Sequence, residues 1–589
     1  MKTHLLLASL LLAGSHPARL NASAAAATTQ PEPGLVIPPA RLAQFENWRF
    51  GLFIHWGPWS QTGEGAIWKI TRDMTPDEQA KAFELRRTFN PRKFDPARWA
   101  RAAHEAGMKY VVFTTKHHDG FCMWDTQLTD MKITDASCPY SKAPQPDLTR
   151  AVVDAFRAEG LAIGFYYSHI DWHHPDGRYF SISHPDYDPA RVDTDPASWR
   201  RFADYEIGQV RELLSQYGKI DLLWYDIQWA HAGGRHVLPD HPVVAADVRR
   251  LVQEMHAWQP DLIYDDRGLG IYGGFHTPEQ VIPETGLPGA WESSITINNG
   301  GGYWYKGPHN SAKTAADVIR TLAEIAAKGG NLLLNVGPSP EGELTAADYA
   351  ALEGTGRWLK TNGAAIYGTE RSRWKNLPWG WSTTGGSTLY LLVRDWPADG
   401  RLRVPGLHGG IARAWRLADP ACTPLAVSDQ GDYRSVALGS KPADLEPVTV
   451  VAIEMRDKFQ VDNFIMPRPD GGIDLPAGSA AISGPHAVYD QGFDIYAANY
   501  AKNLLGPADR LTWRFDARPG RYAYGPTTPR AVRPWAARSA SANGAPSTLT
   551  PPPPRPGRAT FSSSGRRGKK TRTPTTPGFL NACCSDRSR

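Results

Sequence analysis

One unit recurs along this chain: a helix-like segment, a glycine, a short apolar run fit to be buried on both faces, and a polar or aromatic strand end. Asp95-Pro96 joins an N-cap to a proline at the first helical position. The helix closes at Gly107, and Tyr110 to Thr114 then reads as a strand ending in Lys116-His117-His118-Asp119-Gly120. Leu148, Val152 and Phe156 mark the next helix face, Gly160 closes it, and Ala162 to Phe165 leads into Tyr166-Tyr167-Ser168. A third helix stops at Gly218, after which Ile220, Leu222 and Leu223 run into Trp224-Tyr225-Asp226. Val248, Leu251, Val252 and Met255 precede Leu262 to Tyr264 and the end Asp265-Asp266-Arg267. Val318 to Ala327, Gly329-Gly330 and Asn331 to Val336 repeat the order again. An earlier strand, Phe50 to Ile54, ends in His55-Trp56-Gly57. Repetition of this kind predicts a parallel α/β sheet. Length and strand number favour a (β/α)8-type, TIM-like barrel over an open doubly wound sheet. No Gly-x-Gly-x-x-Gly opens a helix after the first strand, which argues against dinucleotide binding. Thr345 with Asp348 forms a capping box for the last barrel helix.

The barrel is expected over residues 41–368. From 369 to 457 the texture changes to short strands between Gly, Pro and Asp turns, among them Leu389 to Val393, Leu402 to Val404 and Val448 to Ile453. This predicts a C-terminal antiparallel β-sandwich. Residues 465–530, with Leu511, Trp513 and Phe515 alternating, read as an incomplete β-module. Residues 531–589 are rich in Pro, Ser and Arg and read as a disordered basic tail. At the other end, Lys2, the apolar run Leu5 to Leu12 and the small residues through Ala22-Ser23-Ala24 have the form of a secretory signal peptide, assigned to 1–25. An Ala/Thr/Pro-rich linker is expected at 26–40. The apolar run is too short to span a bilayer. The expectation is a secreted or periplasmic protein without membrane insertion.

The formal charge of +5 misleads. The 531–589 tail holds eleven Lys/Arg against one acidic residue, so the remainder carries −5 and gives no footprint for nucleic acid. Five cysteines, Cys122, Cys138, Cys422, Cys583 and Cys584, make no disulfide framework; Cys122 and Cys138 could pair or remain core thiols. The 21 tryptophans and 22 tyrosines fit a protein that stacks sugars, and the strand ends carry such groups together.

In a (β/α)8 barrel the C-terminal strand ends carry the chemistry. Here they present His55-Trp56, His117-His118, Tyr166-Tyr167, Trp224 with Asp226, and Arg267. Histidine and arginine donate hydrogen bonds to hydroxyls, and Trp and Tyr cover the apolar face of a pyranose. A carboxylate flanked by Trp224 and Tyr225 reads as a glycosidase nucleophile, against the plainer reading that Asp226 caps the next helix. Neighbouring His117 and His118 lack the spacing of helical metal pairs.

Gly51-Leu-Phe-Ile-His-Trp-Gly57, Lys116-His-His-Asp-Gly-Phe121, Tyr166-Tyr-Ser168, Leu223-Trp-Tyr-Asp226 and Asn331-Leu-Leu-Leu-Asn-Val-Gly337 together resemble the α-L-fucosidases of glycoside hydrolase family 29. The likeness runs over roughly residues 40 to 455, barrel and sandwich together. It implies a retaining exo-α-L-fucosidase with Asp226 as nucleophile, fucose contacts from His55, His117, His118, Tyr167, Trp224 and Arg267, and pocket aromatics at Trp68 and Trp304. It also implies a fucosylated oligosaccharide or glycoconjugate as substrate and no metal or organic cofactor. The family's usual Glu-Trp after the first strand is replaced by Ile67-Trp68, with Glu64 nearby. The His-Trp-Gly motif leans towards the broad-specificity branch. L-Fucose has no C6 hydroxyl, so its methyl needs an apolar wall, for which Trp224 and Phe53 are candidates.

A retaining mechanism needs a second carboxyl about 5 to 5.5 Å from the first, protonated near neutral pH. The resemblance implies Glu279, by the offset that relatives show from their Trp-Glu motif (here Trp291-Glu292) back to the acid/base; Glu292 and Glu284 are the alternatives. Two other readings of the chain stay open: another glycosidase or a metal-dependent hydrolase built on His117, His118 and Asp226, and a non-catalytic glycan-binding relative.

Overall fold

The computed structural model describes residues 31–226, 241–307, 311–443, 445–468 and 472–486, with short pieces at 488–490, 500–502, 508, 510–515, 559–564 and 581–585. The expected signal peptide, residues 26–30 of the linker and Ile227 to Trp229 lie outside the described residues. So do most of 487–530 and most of the tail.

Eight parallel strands form the barrel: β1 Phe50–Ile54, β2 Tyr110–Lys116, β3 Ala162–Ser168, β4 Leu222–Asp226, β5 Ile263–Tyr264, β6 Phe275–His276, β7 Ala290–Thr296 and β8 Asn331–Val336. Their order is β5-β4-β3-β2-β1-β8-β7-β6. A parallel bridge between Asp265 and Phe275 joins the two edges and closes the ring. β1, β2 and β8 are buried at every position, as the unbroken apolar runs required.

α2 Pro96–Glu105 begins at the expected cap Asp95, and Asp147 and Asp195 cap α3 Leu148–Ala158 and α4 Pro196–Gln216 in the same way. α5 Pro242–Trp258 is capped by His241, and α6 Ala315–Ala327 and α7 Ala346–Asn362 by complete capping boxes. Gly160 and Gly218, at φ +74° and +73°, turn the chain from helix into strand in a conformation that disfavours side chains. Two crossovers depart from the repeating unit. Between β5 and β7 the chain holds, besides β6, only a 3-10 turn at Gly270–Tyr272 and loops, so no α-helix follows β5 or β6.

Residues 31–40, expected as linker, instead pack on the barrel, where Leu35 and Ile37 are buried. They lead into α1 Pro39–Trp48, which plugs the barrel's N-terminal end. Phe45 meets Phe275 at a ring distance of 4.5 Å, Trp48 stacks on Tyr110, and Asn331 Nδ2 donates to the Phe45 carbonyl at 2.7 Å. Arg41 pairs with Asp221 at 3.1 Å.

The sandwich forms as expected. One antiparallel sheet orders Ile411–Arg416, Thr449–Met455, Thr388–Val393 and Gly380–Gly385, and a second orders Arg401–Pro405, Tyr433–Ala437 and Val427–Asp429. They enclose a core of Leu389, Leu391, Leu402, Val404, Val436, Val451 and Ile453. Trp358 of α7 donates from Nε1 to the Val448 carbonyl at 2.9 Å, tying sandwich to barrel. Beyond it, Ala481–Ser483 pairs with Arg510–Phe515 over Ile465, Ala480, Leu511 and Trp513. Ala559–Ser564 and Asn581–Ser585, in the tail expected to be disordered, extend that sheet as further strands. Cys122 and Cys138 are separate buried thiols. Among the described residues no helix is long and apolar enough to cross a membrane.

Candidate active site

Asp226 ends β4, and both of its oxygens are held. Arg267 Nη1 donates to Oδ1 at 2.7 Å, the Tyr166 hydroxyl donates to Oδ2 at 2.7 Å, and His118 Nε2 stands 3.5 Å from Oδ2. Arg267, just past β5, donates from Nε to Thr277 Oγ1 at 2.7 Å and from Nη2 to the Thr277 carbonyl at 3.0 Å and Glu279 Oε2 at 3.2 Å. One guanidinium therefore joins two carboxyls, and its own plane lies 4.5 Å over the Trp224 ring. Burial pushes the Glu279 carboxyl upward; Arg267 opposes this and the Asp226 charge adds to it, and the net direction is up.

The histidines line the wall beside this pair. Burial drives His55 down to about 4 and holds His117 and His118 well below the usual imidazole range, so all three are neutral at neutral pH. Their partners assign the tautomers. Asn335 donates to the Tyr303 carbonyl and accepts from His55 Nδ1 at 2.7 Å, which leaves His55 Nε2 as an acceptor. His117 Nδ1 accepts from the His118 amide at 2.9 Å, so its Nε2 carries the proton. The Ser168 hydroxyl lies 2.7 Å from His118 Nδ1 and 2.8 Å from the Ile170 carbonyl, which fixes the His118 ring with Nε2 towards Asp226. Neutral donors and acceptors in this mixture suit sugar hydroxyls.

Aromatic rings complete the enclosure. Trp304 lies 5.2 Å from His117, Trp68 lies 4.8 Å from His118, and Phe53 packs 5.2 Å from Trp224. The loops bearing Trp68 and Trp304 are stitched together by Trp304 N to the Gly65 carbonyl and Gly65 N to the Tyr305 carbonyl. Ile67, in the place where the resembled family carries its acidic residue, is buried, and nearby Glu64 ion-pairs with Lys69.

Of the residues singled out in the sequence, His55, Trp68, His117, His118, Trp224, Asp226, Arg267, Glu279 and Trp304 come together here. Tyr167 does not. β3 alternates, so Tyr167 faces α4, where its hydroxyl donates to Gln209 Oε1 at 2.8 Å, and Tyr166 faces Asp226. Glu292 lies inside the barrel beneath Trp224, accepting from Trp224 Nε1 at 3.2 Å and from the Tyr110 hydroxyl. Glu284 lies away from the strand ends, where it accepts from the Gly478 amide at 3.3 Å. The sequence reading placed Tyr166 at the end of β3 but assigned the sugar contact to Tyr167, and it gave no site role to Ser168, Thr277, Tyr303 or Asn335. The period-2 rule narrows β3 to one of two faces, and the register Tyr166 with Trp224 and Ser168 with Asp226 selects between them. His117, His118 and Asp226 also present ligand atoms within 4.8 Å of one another. Both Asp226 oxygens are already engaged, one by a guanidinium that would repel a cation.

Comparison with known proteins identifies the family of the chain. A family model described as alpha-L-fucosidase matches residues 36–364. The chain is 27% identical to human tissue α-L-fucosidase over 391 residues, covering 62% of this chain and 77% of the relative. It is 28% identical to human plasma α-L-fucosidase over 389 residues, covering 61% and 77%. Among solved structures, α-L-fucosidase isoenzyme 1 from Paenibacillus thiaminolyticus superimposes with a TM-score of 0.62 at 36% identity, over 71% of this chain and 99% of that one. A Bacteroides thetaiotaomicron α-L-fucosidase, described as a trapped covalent intermediate with 2-fluoro-fucosyl fluoride, shares the fold at 24% identity, with a TM-score of 0.60 over 73% and 98% of the two chains. On this match, and on a barrel whose strand ends converge on Asp226, Arg267 and Glu279, the chain belongs to the α-L-fucosidase family of glycoside hydrolases.

Proposed function

We propose that the protein is an exported, retaining exo-α-L-fucosidase that frees terminal L-fucose from oligosaccharides or glycoconjugates. The observation that carries this reading is the Asp226–Arg267–Glu279 bridge, which holds two carboxyls on one guanidinium beside the aromatic rings of the strand ends. Asp226, aimed by Tyr166 and Arg267, attacks the anomeric carbon. Glu279 gives its proton to the departing glycosidic oxygen as the C1–O bond breaks and the Asp226 ester forms. Esterification removes the Asp226 charge that helped raise the Glu279 pKa, so Glu279 becomes more acidic once its proton has gone. It is then suited to take a proton from the water that attacks C1 and releases Asp226 and fucose with retained configuration. The neutral histidines and Arg267 hold the hydroxyls, and Trp224 with Phe53 offers apolar surface to the methyl.

Hydrolysis of an aryl α-L-fucoside by the wild type, Asp226→Ala and Glu279→Ala, with azide present, tests both roles. Asp226→Ala should yield β-fucosyl azide, and Glu279→Ala should regain turnover and yield α-fucosyl azide. An active Glu279→Ala enzyme without an azide response would remove Glu279 from the acid/base role. Loss of wild-type activity to a chelator, restored by a divalent cation, would instead establish a metal-dependent hydrolase at His117, His118 and Asp226. Absence of wild-type hydrolysis with retained fucose binding would instead identify a non-catalytic relative.

A further inference from the structure

The segment that presents Glu279 is neither a free loop nor a helix. It lies along β7 like a short extra strand: Glu279 bridges to Ser294 in parallel, Gln280 N donates to the Ser294 carbonyl at 2.9 Å, and Ser294 N donates to the Pro278 carbonyl at 3.2 Å. Ser293 Oγ donates to the Val281 carbonyl at 2.6 Å. Directly after Glu279 the backbone leaves this path, because Gln280 has φ +57°, in the left-handed region that non-glycine residues seldom occupy. Such a bend is strained for a residue with a side chain and persists only where its surroundings impose it. The surroundings here are explicit. Gln280 Oε1 accepts from both the amide and the hydroxyl of Thr296, each at 3.3 Å, and Ser294 Oγ lies 3.0 Å from the Tyr303 hydroxyl, which in turn faces Glu279.

We infer that Gln280 is a positioning residue for the acid/base: its left-handed bend, pinned by the side-chain bond to Thr296, aims Glu279 at the glycosidic oxygen. A glycine would adopt the bend without strain but could not pin it. The natural residue therefore trades local backbone comfort for a fixed carboxyl direction. This inference rests on Glu279 being the acid/base.

The test compares kcat/KM for aryl α-L-fucosides from the 2,4-dinitrophenyl to the unsubstituted phenyl compound, using wild type, Gln280→Gly, Gln280→Asn and Glu279→Ala. Well-placed general acids contribute about a hundredfold or more, and a dinitrophenolate leaves without their help. Gln280→Gly should lose about tenfold or more on the phenyl substrate and little on the dinitrophenyl one. Its alkaline limb should shift, and its thermal midpoint should be equal to or above wild type. Gln280→Asn tolerates the bend but is too short to reach Thr296, and should behave alike. A uniform loss across all leaving groups would mean that Gln280 only supports the fold, and would overturn the inference. So would wild-type leaving-group dependence in both Gln280 variants beside a steep dependence in Glu279→Ala. If Glu279→Ala itself keeps the wild-type dependence, the acid/base assignment fails first.

Discussion

Glu292 supplies a perturbation whose size follows from the structure. Its carboxyl is wholly buried, and its pKa is pushed up to about 8 by that burial, against an ordinary 4.5, while the Tyr110 hydroxyl and Trp224 Nε1 pull it down. Between pH 4.5 and 8 the folded chain keeps a proton that the unfolded chain has released. Stability from this group is therefore complete below about 4.5 and is lost as pH rises towards 8. At about 1.4 kcal/mol for each pH unit of the gap, the loss amounts to about 5 kcal/mol. Glu292→Gln mimics the protonated carboxyl: Oε1 can accept from Trp224 and the amide can donate to the Tyr110 oxygen, which is free to turn. The variant should lack this loss. Thermal midpoints of wild type and Glu292→Gln, measured from pH 5 to 9, should diverge in the variant's favour by about 5 to 10 °C at the upper end. Hydrolysis should stay within about fivefold of wild type, because a buried group below Trp224 donates no proton to a glycoside. Parallel midpoint curves would refute the buried-acid reasoning. Loss of hydrolysis restored by azide would move the acid/base role to Glu292.

Further expectations concern the same pocket. Tyr166→Phe removes a hydrogen bond to a carboxylate, worth about 1.5 to 3 kcal/mol, and should lower kcat/KM by about 10 to 100-fold. Tyr167→Phe should leave the kinetics near wild type and cost about 1 kcal/mol of stability through Gln209; steady-state kinetics with urea unfolding reads both. Trapping Asp226 as its 2-fluoro-fucosyl ester removes a charge that raises the Glu279 pKa, so carbon-13 NMR of labelled glutamate should show Glu279 titrating lower in the trapped enzyme than in the free one.

The sequence carried the barrel because its signals are local: capping residues, glycine stops and apolar strands each act within one turn or one strand. It could not carry the facing of Tyr166 and Tyr167, since adjacent tyrosines satisfy either phase of a strand and only the neighbouring strand's register decides. The helix-free stretch from β5 to β7 was equally hidden, because Gly, Pro and Asp turns there read as ordinary loops. Glu292 looked catalytic by type, and only its depth below Trp224, set by strands far apart in sequence, gives it another role. His55, Asp226 and Arg267 were legible because each ends its apolar strand, where barrel geometry leaves a side chain one direction to take.

The plug formed by α1 bears on the order in which the molecule can be assembled. Its partners, Tyr110, Asp221, Phe275 and Asn331, come from strands or strand entrances spread over some 220 residues that leave the ribosome after it. β1, which follows it directly, pairs with β8 at the far end of the barrel sequence. The seat of the first barrel helix is thus complete only when the last strand, which brings Asn331, is made. Synthesis at about 5 to 20 residues per second makes that wait tens of seconds. During that interval a nascent chain of this design offers chaperones a helix whose Phe45 is covered for good only when the ring closes.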